Sequence, residues 1–221
     1  MINIMDYSTI IILPLFICIS NIINSILSYF NVRRSLECAN YICAISIQLL
    51  ITLITLYDRS SIYPMYLLLY YFMWDLLYIS YIEPKLYSRS LLYHHFIAIW
   101  IVLWSLNTFS HHTWIMNTGI MYLERPNMFS NLSLLIQKID KFKITKTQLL
   151  ILNIIYLGMF VYDRLYNFIT HIYLTIIVDP KISTNTMLIT ICGTCILTFI
   201  SIKLIIKQYY YLKKIYYQKL N

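Results

Sequence analysis

The chain has 221 residues, of which 60% are apolar or aromatic and 12% are charged, with a mean hydropathy of +0.67. Soluble domains carry roughly 25% charged residues, so an ordinary soluble protein is excluded. A membrane-spanning helix needs about 20 apolar residues, and the chain therefore holds at most about eight spans. Its net charge of +8 comes from basic residues that flank the apolar runs, so we expect no nucleic-acid partner.

Seven runs that are free or nearly free of charge predict an all-α, polytopic membrane bundle of about seven spans. The third is broken by Asp75, the fifth contains Pro126, and the sixth carries Asp163 and Arg164 near its centre. In chain order the runs lie at about 7–31, 38–57, 62–82, 91–107, 113–137, 147–178 and 183–202.

Two of these assignments need an argument. Residues 91–121 form one uncharged run that would reach ~45 Å as a single helix, well beyond one membrane thickness. The polar stretch Asn107–His112 therefore predicts a turn that divides it. Residues 147–178 are kept as one long helix, because an eighth span would put the basic tail opposite the other basic loops.

Basic residues predict the orientation, since short cytoplasmic loops carry an excess of Lys and Arg. Seven spans leave Arg59 and Lys181 on one side and thirteen basic residues on the other, so the N-terminus is expected to be exoplasmic and the C-terminus cytosolic. The thirteen are Arg33, Arg34, Lys85, Arg89, Lys138, Lys141, Lys143, Lys146, Lys203, Lys207, Lys213, Lys214 and Lys219.

Two further features receive ordinary interpretations. The start, Met1–Asp6, lacks a basic n-region, so the first run is expected to remain as a span rather than be cleaved.

Cys192 and Cys195 have the spacing of a redox motif, but they lie within an apolar run. A redox cysteine needs a polar, accessible setting, so close helix packing by small residues is the favoured interpretation.

Charged and titratable residues inside spans are candidate functional residues, because each costs roughly 2.5–3.5 kcal/mol to insert. Helix geometry places Asp75 ~10 Å, His94 and His95 ~6–8 Å, and Glu124 up to ~20 Å inside the cytosolic face. We therefore predict a polar pocket in the cytosolic half of the bundle, formed by these four residues.

An imidazole in such a pocket can take a proton from an amine or hydroxyl, or briefly accept an acyl group. Asp75 or Glu124 would orient it. The structural alternative is a buried hydrogen-bonded cluster that fixes helix register. Five histidines without HxxxH spacing do not supply the ligands of a membrane di-iron oxygenase, so neither a metal nor another cofactor is expected.

Three segments resemble the TLC-domain family, which includes ceramide synthases and translocating-chain-associating membrane proteins. They are Tyr70-Tyr-Phe-Met-Trp-Asp-Leu-Leu77, Leu92-Tyr-His-His-Phe-Ile-Ala-Ile99 and Glu124-Arg-Pro-Asn-Met-Phe-Ser-Asn-Leu-Ser133. The family form of the third is E-L-S-T-P-F-L-N-L-R. Glu124, Phe129, Asn131 and Leu132 match it, whereas Met128 and Ser133 replace the proline and the arginine, and Pro126 stands two residues early.

The resemblance implies a leading helix (1–32), a six-helix TLC-like domain (33–217) with a basic cytosolic tail (203–221), and residence in the endoplasmic reticulum or a related membrane. It implies catalytic roles for His94 and His95, and substrate binding by Asp75, Glu124 and Asn131. Ceramide synthases carry an acidic pair, D-x-x-D, downstream of the histidines. No aspartate lies between His95 and Glu124, so the chain looks closer to the non-synthase branch.

Two functions therefore compete. The first is a lipid-binding protein that influences membrane lipid composition or trafficking. The second is an N-acyltransferase of ceramide-synthase type, which joins an acyl group from acyl-CoA to a sphingoid base. A transporter is disfavoured, because inverted repeats and paired broken helices are not evident.

The orientation can be tested with glycosylation tags. An acceptor sequence fused before Met1 should be glycosylated, and the same sequence after Asn221 should not, because only the N-terminus is expected in the lumen. The natural Asn131-Leu-Ser133 sequon, at the cytosolic end of the fifth span, should also stay unmodified. Glycosylation at the C-terminal tag would contradict the seven-span arrangement.

Overall fold

A computed structural model describes residues 12–32, 34–81, 89–108, 113–139, 145–177 and 183–220. Every secondary-structure element in these ranges is a helix, which confirms the all-α prediction. In chain order the helices are α1 (Ile12–Tyr29), α2 (Ser35–Tyr57), α3 (Tyr63–Tyr81), α4 (Arg89–Thr108), α5 (Thr113–Lys138), α6 (Lys146–Phe160), a π-helical segment (Val161–Asn167), α7 (Phe168–Ile172), a second π-helical segment (Tyr173–Ile177) and α8 (Thr184–Leu220).

The structure confirms both the division of residues 91–121 and the single long helix predicted over 147–178. Helix α4 ends at Thr108 and α5 begins at Thr113, so the 91–121 run is divided where the polar stretch predicted it. The rest of that turn, with His111 and His112, lies outside the described residues. From Lys146 to Ile177 the chain is helical without a break, as one long element.

Among the described residues, three helical stretches are long and apolar enough to cross a membrane, namely Ser35–Tyr57, Lys146–Thr175 and Thr184–Lys213. Two shorter apolar stretches, Pro14–Tyr29 and His95–Leu106, lie in α1 and α4. The order of long helices agrees with the predicted spans. Membrane crossing by the remaining helices, and the direction of every span, stay predictions.

The chain divides into two compact units, Met1–Asn117 and Thr118–Asn221. In the first unit α1 packs against α2 and α3, α2 against α3, and α3 against α4. The buried face of α2 carries small side chains, which allow helices to approach closely. These are Cys38, Ala39, Cys43 and Ala44.

The turn between α1 and α2 holds two residues in the left-handed region, Asn31 at φ 53° and Arg34 at φ 57°. Such angles are uncommon for residues other than glycine. The Ser35 hydroxyl donates to Asn24 Oδ1 over 2.7 Å and joins the two helices beside the turn. This hydrogen bond therefore connects the C-terminal part of α1 to the first residue of α2.

The loop between α2 and α3 is bound by the start of α5. The Thr113 hydroxyl donates to the Ser60 carbonyl over 2.7 Å. The buried Asn117 amide donates to the carbonyls of Arg59, over 2.9 Å, and Ser61. Within the loop, the Ser60 hydroxyl and backbone N–H donate to Asp58 and hold the pKa of that carboxyl below its ordinary value. Backbone groups that no helix satisfies thus receive partners.

In the second unit, α6 opens with a capping box. The Thr145 hydroxyl accepts the Gln148 backbone N–H over 3.2 Å, and the Gln148 side chain accepts the Thr145 N–H over 3.0 Å. Helix α8 packs against α6. With 37 residues it measures ~55 Å, longer than the ~30 Å hydrocarbon core, so the predicted tail continues the last span as one helix.

The packing role predicted for Cys192 and Cys195 is wrong. Both thiols are free and exposed on α8. A Cβ added at Gly193, which lies between them, would meet no atom of the described residues within 4 Å. The small residues there leave an open helix face, which a hydropathy pattern alone does not distinguish from a packed one.

Replacing the fully buried Asn117 by alanine should lower the free energy of unfolding by about 1–3 kcal/mol, because its two hydrogen bonds to backbone carbonyls of the loop are lost. Thermal unfolding of the purified protein in mild detergent measures the change. Asn185→Ala, at an exposed position near the start of α8, is the matched control and should leave stability unchanged. Equal stability of the two variants would contradict the role given to Asn117.

Candidate functional site

The first polar cluster lies in the first unit and surrounds His95. Its Nε2 is 2.8 Å from Asp75 Oδ2, and both side chains are buried, with residue exposures of 4% for His95 and 8% for Asp75. Asn40 Nδ2 donates to the other carboxylate oxygen, Asp75 Oδ1, over 3.0 Å. The ring of Phe72 meets the imidazole edge to face, with centroids 5.2 Å apart. The imidazole is therefore oriented by a carboxylate that is itself held in place.

Helix α2 extends this cluster toward its own N-terminus. Glu37 is buried and accepts a hydrogen bond from the Tyr41 hydroxyl over 3.3 Å. Arg34, about half exposed, lies 3.4 Å from the same carboxylate. Positions 37 and 41 are four residues apart and share one face of α2, and Arg34 is the residue immediately before that helix. We call Glu37, Asn40, Tyr41, Asp75 and His95 the His95 cluster.

A second cluster lies in the second unit, between α5 and the π-helical segment Val161–Asn167. Arg125 donates from Nε to Asp163 Oδ2 over 2.8 Å and from Nη2 to Asp163 Oδ1, a bidentate pair. Asn167 donates to the same carboxylate over 3.0 Å. Asp163 is fully buried, so these contacts supply the compensation that a carboxylate in an apolar setting requires.

Arg164 is buried beside that pair. It donates from Nε and Nη2 to the Leu123 carbonyl over 2.9 and 2.6 Å, and from Nη2 to Asn127 Oδ1 over 2.9 Å. Asn127 in turn donates to Glu124 Oε2 over 3.1 Å. Asn127 therefore links the buried cation to Glu124. We call Glu124, Arg125, Asn127, Asp163 and Arg164 the Arg164 cluster; it contains two charges of each sign.

Two backbone irregularities lie at the Arg164 cluster. Pro126, inside α5, has no N–H to give to the Tyr122 carbonyl four residues earlier, and Arg164 binds the adjacent Leu123 carbonyl. In the π-helical segment the Phe168 N–H donates to the Asp163 carbonyl five residues back. π-helical turns are frequent at functional sites. Here the segment presents Asp163 and Arg164 to α5.

The predicted pocket residues are distributed over both units. Asp75 and His95 meet directly, as predicted, in the first. His94 lies in α4, but its side chain is outside the described part of the structure. Glu124 and the half-buried Asn131 lie in the second unit, seven residues apart on α5 and hence on one face.

Sequence reasoning missed Glu37, Asn40 and Tyr41. Glu37 was excluded because the apolar run was taken to begin at Cys38, although Glu37, Asn40 and Tyr41 follow the i, i+3, i+4 pattern of one helix face. Sequence reasoning also did not predict that Arg125 and Asp163 form a pair. Opposite charges in two separate apolar runs are a usable signal, because intramembrane charges almost always pair.

Across the described ranges, no three His, Cys, Asp or Glu side chains lie close enough together to hold a metal ion. The His95 cluster instead offers hydrogen-bond donors, acceptors and an oriented imidazole. This arrangement can bind a polar group within an apolar environment or transfer a proton to or from it.

The sequence profile of the TLC domain matches residues 7–216. The chain therefore belongs to the TLC-domain family, which confirms the resemblance that its motifs showed. No curated protein and no solved structure matches the chain. The family match supports a membrane protein with a helical bundle fold.

The Arg125–Asp163 pair can be tested by a double-mutant cycle. Arg125→Met should destabilise the protein by about 3 kcal/mol, because it leaves a buried carboxylate without its cation. Adding Asp163→Asn should restore much of the loss, since the charge disappears while Asn167 keeps a hydrogen-bonding neighbour. Unfolding in detergent measures both.

Arg59→Met is the matched control. It removes the guanidinium of an exposed arginine in the loop between α2 and α3, and such surface substitutions usually change stability by about 0.5 kcal/mol or less. If Arg125→Met cost no more than Arg59→Met, or if the double variant were as unstable as the single one, the buried pair would not have the role assigned here.

Proposed function

We propose that this TLC-domain protein binds lipid and thereby influences membrane lipid composition or trafficking. The observation that supports this most is the buried His95–Asp75 contact at 2.8 Å, ordered by Asn40. A polar cluster inside an apolar bundle costs free energy that plain packing would avoid. A lipid polar group with its own donors and acceptors explains why the cluster is present.

The same proposal assigns substrate binding to Asp75, Glu124 and Asn131. Asp75 presents carboxylate oxygens to donors such as amines and hydroxyls, while Glu124 and Asn131 supply polar groups along one face of α5. We place the protein in the non-synthase branch of the family, in the endoplasmic reticulum or a related membrane. Its N-terminus is exoplasmic and its C-terminus cytosolic in this proposal, and it needs no cofactor.

A second candidate is N-acylation of a sphingoid base by acyl-CoA, with His94 or His95 as the catalytic residue. The positioned Asp75 favours it, because a general base needs a partner that sets its orientation. In the reaction, the amine nitrogen bonds to the thioester carbonyl carbon as the C–S bond breaks. The imidazole takes the amine proton and passes it to the departing CoA thiolate.

Two measurements on purified protein distinguish the two candidate functions. Lipid mass spectrometry in mild detergent should find bound lipid, and labelled long-chain acyl-CoA with sphingoid base should give no N-acyl product above a mock preparation. Bound lipid should fall in Asp75→Ala and His95→Ala but not in His111→Ala/His112→Ala, whose residues belong to the predicted exoplasmic turn.

Other results would support the acyltransferase or contradict lipid binding. Product that disappears in folded His94→Ala/His95→Ala protein would make the acyltransferase the leading function. Absence of bound lipid from the wild type, or equal loss in all variants, would contradict the binding proposal.

A further inference from the structure

Helix α3 carries two buried hydrogen-bond donors that the described part of the protein leaves without a partner. They are the Tyr70 hydroxyl and the Trp74 Nε1–H, in side chains that are 4% and 5% exposed. Buried tyrosine and tryptophan usually find a partner for these groups. An unpaired buried donor costs about 1–3 kcal/mol, which phenylalanine at either position would avoid.

The two donors share a side of α3 that differs from the side of the His95 cluster. Residues four apart on a helix are neighbours on one face, so Tyr70 and Trp74 lie about one helical turn apart on the same face. At 100° per residue, Phe72 and Asp75, which contact His95, lie about 100–160° around the helix axis from the two donors. The donors are therefore not part of the His95 cluster.

Their position along α3 restricts what can reach them. Tyr70 and Trp74 lie ~11 and ~17 Å from the first residue of a helix that is ~28 Å long. In the predicted spanning arrangement this is the middle of the hydrocarbon layer, where water is absent. Lipid carbonyl oxygens in the surrounding bilayer lie near the helix ends. An acceptor at mid-depth must enter the protein with the molecule that carries it.

We infer that Tyr70 and Trp74 form a binding site for an acyl carbonyl oxygen of a lipid held inside the first unit. The inference rests on the proposed lipid binding and specifies its chemistry. The indole N–H can only donate, whereas the tyrosine hydroxyl can donate or accept, so a hydrogen-bond acceptor is the kind of group that satisfies both. Ester carbonyls of glycerolipids and amide carbonyls of N-acyl lipids both provide one.

Ester- and ether-linked lipids of equal chain length test the carbonyl directly. The full chain, stripped of lipid in detergent, is titrated with ester-linked phosphatidylcholine and with its ether-linked analogue, which has no carbonyl. Each hydrogen bond lost should weaken binding roughly 2- to 12-fold, so the ester lipid should bind tighter. Tyr70→Phe and Trp74→Phe should each reduce this ratio. A ceramide titration shows whether an amide carbonyl is preferred.

The outcomes distinguish the site from the broader function. Equal affinity for ester and ether lipid in the wild type, or an unchanged ratio in both variants, would overturn the carbonyl site while lipid binding stands. No binding of any of the three lipids would instead contradict the proposed function.

Stability without lipid supplies a second readout. Tyr70→Phe removes a hydroxyl with no partner in the described protein, so the lipid-free unfolding temperature should stay level or rise. Tyr41→Phe is the matched control, because its hydroxyl donates to Glu37 over 3.3 Å, and it should unfold at a lower temperature. If Tyr70→Phe lowered the unfolding temperature as much as Tyr41→Phe does, the Tyr70 hydroxyl would be hydrogen-bonded within the protein and the inference would fail.

Discussion

A buried charge in a membrane protein must find its partner in the chain, because hydrocarbon offers none. The second unit is organised by this constraint. Arg125 and Asp163 form a bidentate pair, and Arg164 binds a backbone carbonyl and, through Asn127, reaches Glu124. The Arg125–Asp163 pair and the contacts of Arg164 join α5 to the π-helical segment, and the Asn127–Glu124 hydrogen bond lies within α5. Removal of one member leaves another charge uncompensated, which is why the cluster ties two helices together.

The first unit uses polar groups differently. His95, Asp75 and Asn40 form an ordered chain across three helices, and the donors of Tyr70 and Trp74 stay without a partner among the described residues. A fully satisfied polar network serves packing, whereas an unsatisfied donor fits an acceptor supplied from outside. Arg125, Asp163 and Arg164 thus have the polar contacts of a stabilising element, whereas Tyr70 and Trp74 have donors suited to holding a ligand.

Sequence by itself determined the class of the protein. Few charges, long apolar runs and the polar stretch Asn107–His112 were enough for the order of helices, because hydrophobic length and turn chemistry are local properties. The motifs around Asp75, His94-His95 and Glu124 were enough for the family. The contact between His95 and Asp75 could also be anticipated, since each lies in a neighbouring helix at a similar expected depth.

Only the tertiary structure decided which polar groups of the chain contact one another. Asn40 on Asp75, Arg164 on the Leu123 carbonyl and Asn127 as its link to Glu124 all depend on how helices rotate about their axes and on the π-helical turn at Asp163. Hydropathy fixes the length of a helix and leaves its rotation open. The same limit explains the error at Cys192 and Cys195. Which face is covered depends on the packing of residues distant in sequence, and one-dimensional spacing does not record it.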